Sequence, residues 1–271
     1  MRACCRQSIE KMRNMEKLLV VKVGGKVVEN ASSLQAMLAR FAAHEGRKVL
    51  VHGGGVMATS VARAMGVDTS MVEGRRITGD KMIDVVTMVY GGLVNKRIVA
   101  MLECMGLNAV GLCGADMNIM LSTKRPVVDG IDYGWVGDVK RVDAHALSTL
   151  VETGVVPVLA PLTHDGKGHI LNTNADTIAA ETARSLASCY DVTLVYCFEK
   201  NGVLLDPGDD GSVIASLQLR QFQELKASGV INQGMIPKLS NAFKALQGGV
   251  REVVITSVAH LDDLSQGTHL Q

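Results

Sequence analysis

Two glycine clusters carry the first chemistry legible in this chain. One is Lys22-Val-Gly24-Gly25-Lys26 and the other is His52-Gly53-Gly54-Gly55, and each closes a short Val/Leu-rich run. Where a parallel strand ends and a helix begins, backbone N–H groups favour anions, and glycine lets a ligand reach that backbone. The two clusters are therefore either tight turns or the halves of an anion site. The lysine embedded in the first cluster favours the anion site, since a charge inside a valine-rich strand is uncommon. A GxxxxGK[ST] phosphate loop is absent, which excludes that enzyme class. Gly53 to Ala58 fits the loose dinucleotide pattern GxGxxG/A. That reading wants an acid about 20 residues on, closing the next strand. Glu73 has the spacing but sits in a segment that reads as loop, and the motif follows the second strand, not the first. Phosphoryl transfer is the better reading.

These residues need elements to hold them. Leu18–Val23 and Lys48–Val51 read as strands, and Leu34, Met37, Leu38 and Phe41 recur at helical spacing behind a capping serine, Ser32. A helix follows Gly55, and a long helical stretch over 80–105 is interrupted by Gly91-Gly92. Asn108–Cys113 reads as strand and Pro126–Val139 as a hairpin. The second half alternates again, with helices over Ala144–Glu152, Asp176–Ala187, Leu217–Ala227 and Met235–Leu246. Strands are expected at Val155–Leu159, Val192–Val195 and Glu252–Ile255. Strands apolar on both faces and alternating with helices predict a mostly parallel sheet covered on both sides. No internal repeat interrupts the pattern, and His164–Asn174 is the candidate lobe boundary.

Composition narrows the function. The 271 residues carry 28 basic and 27 acidic side chains, for a net charge of +1. With one Trp, four Tyr and four Phe, neither a basic nor a stacking surface for nucleic acid is expected. No apolar run approaches the ~18 residues of a membrane span, and no apolar block precedes the first strand as a secretory signal requires. The six cysteines form no CxxC pair and read as reduced thiols. The expected address is cytoplasmic.

Taken in order, the motifs resemble the amino acid kinase family, and within it the branch that phosphorylates N-acylated glutamate. The resemblance runs from Lys22 to about Thr268. It is carried by Lys22-Val-Gly-Gly, Val51-His-Gly-Gly-Gly, Glu73-Gly-Arg-Arg76 and Ala109-Val-Gly-Leu-Cys-Gly-Ala-Asp116. Leu171-Asn-Thr-Asn-Ala-Asp176, Gly234-Met-Ile-Pro-Lys238 and Gly267-Thr268 complete it. It implies a three-layer αβα sandwich around a mostly parallel eight-stranded sheet. Residues 1–17 would be an extension, 18–171 a lobe for the acyl-amino acid and for homodimerisation, and 172–271 a lobe for ATP. The implied reaction moves the γ-phosphoryl of MgATP to the side-chain carboxylate of N-acetyl- or N-succinyl-L-glutamate, a step of arginine biosynthesis.

The family's roles transfer residue by residue. Lys22 and Lys238 would neutralise the migrating phosphoryl group, with Asp176 orienting both; read on its own, Lys238 is a solvated helix lysine and Asp176 a helix N-cap. Gly24, Gly25 and Gly54 would donate N–H groups to phosphoryl oxygens, with Gly54 and Gly55 touching substrate. Arg76 would hold the α-carboxylate, its neighbour Arg75 being the natural confusion. Asn172 would bind the substrate's amide or carboxylate with Asn174 in support, and His52 would brace its turn. Mg2+ would be held by phosphates and water, with no protein ligand. Glu199, Gly202, Val203, Val230, Ile231 and Asn232 would line the nucleotide site. There the chain departs from the family's Asp-Val-x-Gly-Val, since the Asp position falls on Cys197 or Glu199 according to the anchor. Tyr133 and Trp135 are candidates to border the acyl group. Met1–Lys17 is either a short helix, on the spacing of Ile9, Met12 and Met15, or a disordered arm.

Overall fold

The computed structural model describes residues 15–72, 74–206, 208–231 and 234–271. Residues 1–14 of the suggested N-terminal helix, with Cys4 and Cys5, and Glu73 and Asn232 lie outside them; of the rest of that segment, Met15 and Glu16 are not helical and Lys17 opens the first strand. Among the described residues the central sheet has eight strands: β1 (Lys17–Val23), β2 (Arg47–His52), β5 (Ala109–Leu112), β8 (Val156–Leu159), β11 (Asp191–Phe198), β12 (Ser216–Leu217), β13 (Glu252–Ser257) and β14 (Thr268–Leu270). Their order is β12-β14-β13-β11-β1-β2-β8-β5. The six strands from β13 to β5 run parallel, and only β14 and β12 oppose them.

Alternation along β1 explains the three layers. Leu18 and Val20 face one apolar layer, under α6 (Ala144–Glu152), α7 (Ala175–Leu186), α8 (Leu219–Ala227) and α9 (Met235–Gln247). Leu19, Val21 and Val23 face the other, under α2 (Ala31–Ala43), α3 (Gly55–Ala64), α4 (Asp80–Val86) and α5 (Asn95–Cys104). A strand buried on both faces has no polar positions to spare. Lys22 has the parity of Leu18 and Val20, so its side chain leaves the sheet on the α7 side.

The chain reaches β2 from β1 through α1 (Gly25–Glu29) and α2, while β11 of the second half pairs with the opposite edge of β1. Strand order thus reverses beside β1, and open α/β sheets bind ligands at the carboxyl ends flanking such a point. Both glycine turns lie there. Gly24 N–H donates to Cys197 O at 3.0 Å, and Gly53 N–H donates to Val23 O at 3.0 Å, so the three strand ends are stitched together.

A second sheet was not foreseen in the sequence. It contains β6 (Met120–Lys124), β7 (Gly137–Val142), β9 (Leu162–His164) and β10 (Ile170–Asn172), in the order β10-β9-β6-β7. The expected hairpin belongs to it, but its strands lie outside Pro126–Val136, with Lys124 opposite Gly137. His164–Asn174, read as a boundary, is largely the β9–β10 hairpin. The Met71–Arg76 segment, read as loop, forms a ribbon of β3 (Met71–Val72) and β4 (Arg75–Arg76). The cap of α2 is Asn30, not Ser32; its side chain accepts from Ser33 N–H at 2.9 Å.

Gly91-Gly92 does not break the long helix. A π-helical segment, Thr87–Val94, absorbs both glycines and joins α4 to α5 without interruption. Such wide turns often mark functional sites, and this one sets Tyr90 and Val94 against Gly54. The resulting 25-residue helix is long and apolar enough to cross a membrane by length and composition, with 44% of its most apolar window buried inside the protein. Met82, Val85, Val86, Val89, Ile98 and Leu102 form its buried face, as in a core helix.

His52 anchors the second glycine turn to this helix. Its Nδ1 lies 2.7 Å from Gly53 O, and Asn95 Nδ2 lies 3.1 Å from its Nε2, which sets a neutral ring protonated at Nδ1. Asn95 also donates to Val158 O of β8 at 2.9 Å. Complete burial pulls the imidazole from 6.5 down to about 4. Between those values the unfolded chain binds the proton and the folded one does not, so stability is lost as pH falls through this window. The full shift is worth roughly 3 kcal/mol. We expect thermal unfolding to shift downward from pH 7 to pH 4.5, and His52→Gln to flatten that slope while lowering Tm at pH 7; an unchanged slope in the variant would refute the assignment.

Candidate functional site

Two cavities open at the carboxyl ends of β1, β2 and β11. One, of about 460 Å3, is lined by Gly53, Gly54, Gly55, Arg76, Asn172, Asn174 and Asp176 among others. The second, of about 470 Å3, is lined by Gly24, Phe198, Glu199, Gly202, Val203, Val230, Ile231 and Lys238 among others. Lys22, Gly25 and Lys26 belong to both walls. A molecule in each cavity would therefore meet its neighbour across that strip.

The charges at this junction are buried. Lys22 Nζ lies 2.7 Å from Asp176 Oδ1, with the two side chains 9% and 14% exposed. Lys238, at 8% exposure, rests its Nζ 4.3 Å from the centre of the Phe198 ring. Burial pushes the Lys238 ammonium down to about 8, against the pull of Asp176 and with the repulsion of Lys22. Burial raises the Asp176 carboxyl, but Lys22 and Lys238 together hold it below the usual carboxylate range. The carboxylate is thus ion-paired to Lys22 and attracts Lys238 from farther away. Asp176 is not the helix cap that the sequence left open. Asn174 caps α7, its Oδ1 accepting from Asp176 N–H at 2.8 Å and Thr177 N–H at 3.2 Å, which leaves the Asp176 side chain for the lysines.

In the first cavity, Arg76 Nη2 donates to Gly55 O and Thr59 Oγ1, both at 2.8 Å. Its Nε and Nη1 are buried without a hydrogen-bond partner, an arrangement suited to an anion that supplies two acceptors. Arg75 lines the same cavity but is more exposed. Asn172 donates to Thr78 Oγ1 at 2.9 Å, and Thr78 Oγ1 donates to Arg76 O at 2.9 Å, so β10 and the arginine ribbon are locked together. Gly54 has no room for a side chain, because a Cβ there would meet Tyr90 Cδ1 at 2.9 Å. Tyr133 and Trp135 do not reach the walls, and Val136 does. Tyr133 is buried elsewhere, and the Trp135 indole donates to Asp80 Oδ1 at 2.6 Å and stacks on His169.

The two anchors for the variant loop fall in different surroundings. Cys197 is buried in β11 with its thiol pushed up to about 12 by burial, while Glu199, just past the strand, is on the cavity wall. Gly202 is required by close approach, since a Cβ would come within 2.5 Å of Thr268 Oγ1. That hydroxyl accepts from Val203 N–H at 2.8 Å, which ties the loop to β14. The proposed contact at Asn232 lies outside the described residues. Sequence reasoning missed Thr59, Thr78, Tyr90, Asn95 and Phe198 as builders of the site. None has a distinctive type or spacing, and each is recruited by the tertiary fold.

The model of the amino acid kinase family matches residues 17–257. The chain belongs to the amino acid kinase family. Among its relatives is the acetylglutamate kinase of Bacteroides fragilis, 61% identical over 93% of this chain and 97% of that protein. The acetylglutamate kinase of Methanopyrus kandleri is 40% identical over 89% of this chain and 96% of that one. Of solved structures, a protein from Streptococcus mutans shares the amino acid kinase architecture at TM-score 0.79 and 28% identity, covering 94% of this chain and 98% of that one. An N-acetylglutamate synthase from Neisseria gonorrhoeae, complexed with coenzyme A and N-acetyl-glutamate, matches at TM-score 0.80 and 24% identity; all of this chain is covered, and 63% of that one. That likeness shows the shared fold.

The buried triad makes opposite demands on stability. Removing the carboxylate in Asp176→Asn leaves the buried Lys22 ammonium without its partner and Lys238 without an attracting charge, and is expected to cost about 3–5 kcal/mol. Lys238→Met removes a charge that burial disfavours and is expected to raise Tm by a few degrees at pH 7. Calorimetry on both variants checks this; equal effects of the same sign would contradict the geometry.

Proposed function

We propose that this protein transfers the γ-phosphoryl group of ATP to the side-chain carboxylate of an N-acyl-L-glutamate, releasing ADP and the acyl phosphate. The relatives' name and the two cavities sharing the Lys22 strip support the reading, and the strip is the observation that carries it. The first cavity would take the acyl-amino acid and the second the nucleotide, and the lobes proposed as 18–171 and 172–271 would meet here, since Asn172 to Asp176 line the first and Lys22, Gly24, Gly25 and Lys26 the second.

A glutamate carboxylate is ionised at neutral pH, with a reference pKa of about 4.3, so the acceptor needs no general base. The obstacle is repulsion between two anions, and cations with fixed N–H donors are what lower it. Arg76 would receive the α-carboxylate through Nε and Nη1, and Asn172 the amide or carboxylate. A carboxylate oxygen then attacks phosphorus as the bond to the β-phosphate oxygen breaks. Lys22 and Lys238 would face the migrating group from the two cavities, with Asp176 fixing both. The N–H groups of Gly24, Gly25 and Gly54 would hold its oxygens. Glu199, Gly202, Val203, Val230, Ile231 and Asn232 would surround the nucleoside.

The donor set also bears on Mg2+. Asp176 and Glu199, the carboxylates in these walls among the described residues, are each ion-paired to a lysine at 2.7 Å, and no cluster of three His, Cys, Asp or Glu side chains occurs among those residues. The ion fits this site as a companion of the nucleotide, held by phosphate oxygens and water, where it would spread the negative charge. A cytoplasmic enzyme of arginine biosynthesis and a homodimer complete the proposal. Met88 and Leu93, 49% and 43% exposed on the long helix, support pairing through the N-terminal half.

The test is an acyl-phosphate trap with MgATP, hydroxylamine and either N-acetyl- or N-succinyl-L-glutamate. Hydroxamate is expected, falling roughly 100- to 1000-fold in Lys22→Ala, and Arg76→Lys should raise KM for the acylglutamate by tenfold or more. Relative turnover of the two substrates reports the acyl preference. Because the Lys238 ammonium is held down to about 8, kcat/KM for ATP should decline above that pH, and Lys238→Arg should move the decline upward. ATP binding without hydroxamate from either substrate would replace this reading with another small-carboxylate kinase of this fold or a nucleotide or amino-acid sensor.

A further inference from the structure

Lys26 stands outside the roles assigned so far, yet with Lys22 it is one of two cations on the strip common to both cavities. Its side chain is 73% exposed and its Nζ lies 2.7 Å from Glu199 Oε1. Hydrogen bonding and charge from Glu199 raise the Lys26 ammonium above its ordinary range, so it is a full cation at any working pH. Glu199 also feels the charge of Lys238, and despite the burial that opposes it, the two lysines hold its carboxyl low. An anionic oxygen pair therefore already sits among the cations of the nucleotide side, joining the first glycine turn to the loop after β11.

A polyphosphate reaching from the second cavity toward the Lys22 strip must pass this ion pair, and it carries more charge than one carboxylate. An exposed ion pair contributes little, so exchanging one anionic partner for a more highly charged one is a small step for a flexible lysine. We infer that Lys26 is a third phosphate-binding cation of this enzyme, and that Glu199 occupies it as an internal anion until the polyphosphate takes its place. This deepens the proposed kinase reading and rests on the second cavity being the nucleotide's.

The two halves of the inference separate with a ligand that has no nucleoside. Calorimetric binding of inorganic tripolyphosphate and of adenosine should be measured on the wild type, Lys26→Met, Lys26→Arg and Glu199→Gln. Lys26→Met should weaken tripolyphosphate about tenfold and leave adenosine unchanged, and Lys26→Arg should restore most of the loss. Glu199→Gln should tighten tripolyphosphate severalfold, because the competing charge is gone. Both side chains are substantially exposed, so the variants are expected to keep the wild-type Tm. Wild-type affinity for tripolyphosphate in Lys26→Met would remove the third cation, and weaker binding in Glu199→Gln would remove the exchange. If the wild type binds tripolyphosphate but forms no hydroxamate, the kinase reading fails and the anion site survives.

Discussion

A buried carboxylate ion-paired to one ammonium group and lying in the field of a second is the constraint on which this structure is organised. Asp176 and Lys22 cannot be buried without each other, because an unpaired ion in a low-dielectric interior costs several kcal/mol. Lys238 rests its Nζ on the Phe198 ring and is attracted by Asp176 at longer range. Each member comes from a different element: a strand of the first half, the first turn of α7, and α9. Folding must bring the first two together to satisfy either, and the third adds its charge to the same field. The electrostatic centre therefore also fixes how the halves of the sheet join along β1 and β11.

The glycine turns work because of what surrounds them. Backbone N–H groups face a ligand only where side chains are absent, and here the surrounding residues have grown into the space that glycine leaves. Tyr90 fills the volume over Gly54 and Thr268 the volume over Gly202. The π segment is what delivers Tyr90, and it does so by accommodating the glycine pair that a regular α-helix would carry at a cost of about 1 kcal/mol per residue. The same irregularity that looks like a break in the sequence is a positioning device in the fold.

How much of this was legible depended on whether a residue acts through its own type or through its neighbours. The parallel sheet showed in the doubly apolar strands, and Lys22 showed because a cation has no place in one. Lys238 and Asp176 did not reveal themselves by spacing, since helical lysines and first-turn aspartates are ordinary; their meaning came from the ordered motifs. Asn174 as the cap is a matter of two residues, which the pattern alone does not resolve. The four-stranded second sheet was missed because β9 and β10 have three residues each, too few for alternation to register. Glu199 and Cys197 were interchangeable in the sequence until the exit of β11 separated a buried thiol from an exposed acid.

The contact between positions 54 and 90 has an evolutionary corollary. These residues are 36 apart in the chain, yet they share one volume, and any lineage that acquired a methyl group at 54 would first have to accept a smaller side chain at 90. Such a pair should drift together or not at all. The aromatic ring thus acts as a lock on the glycine's history, and divergence of this turn is rationed by a side chain of the cavity's own wall.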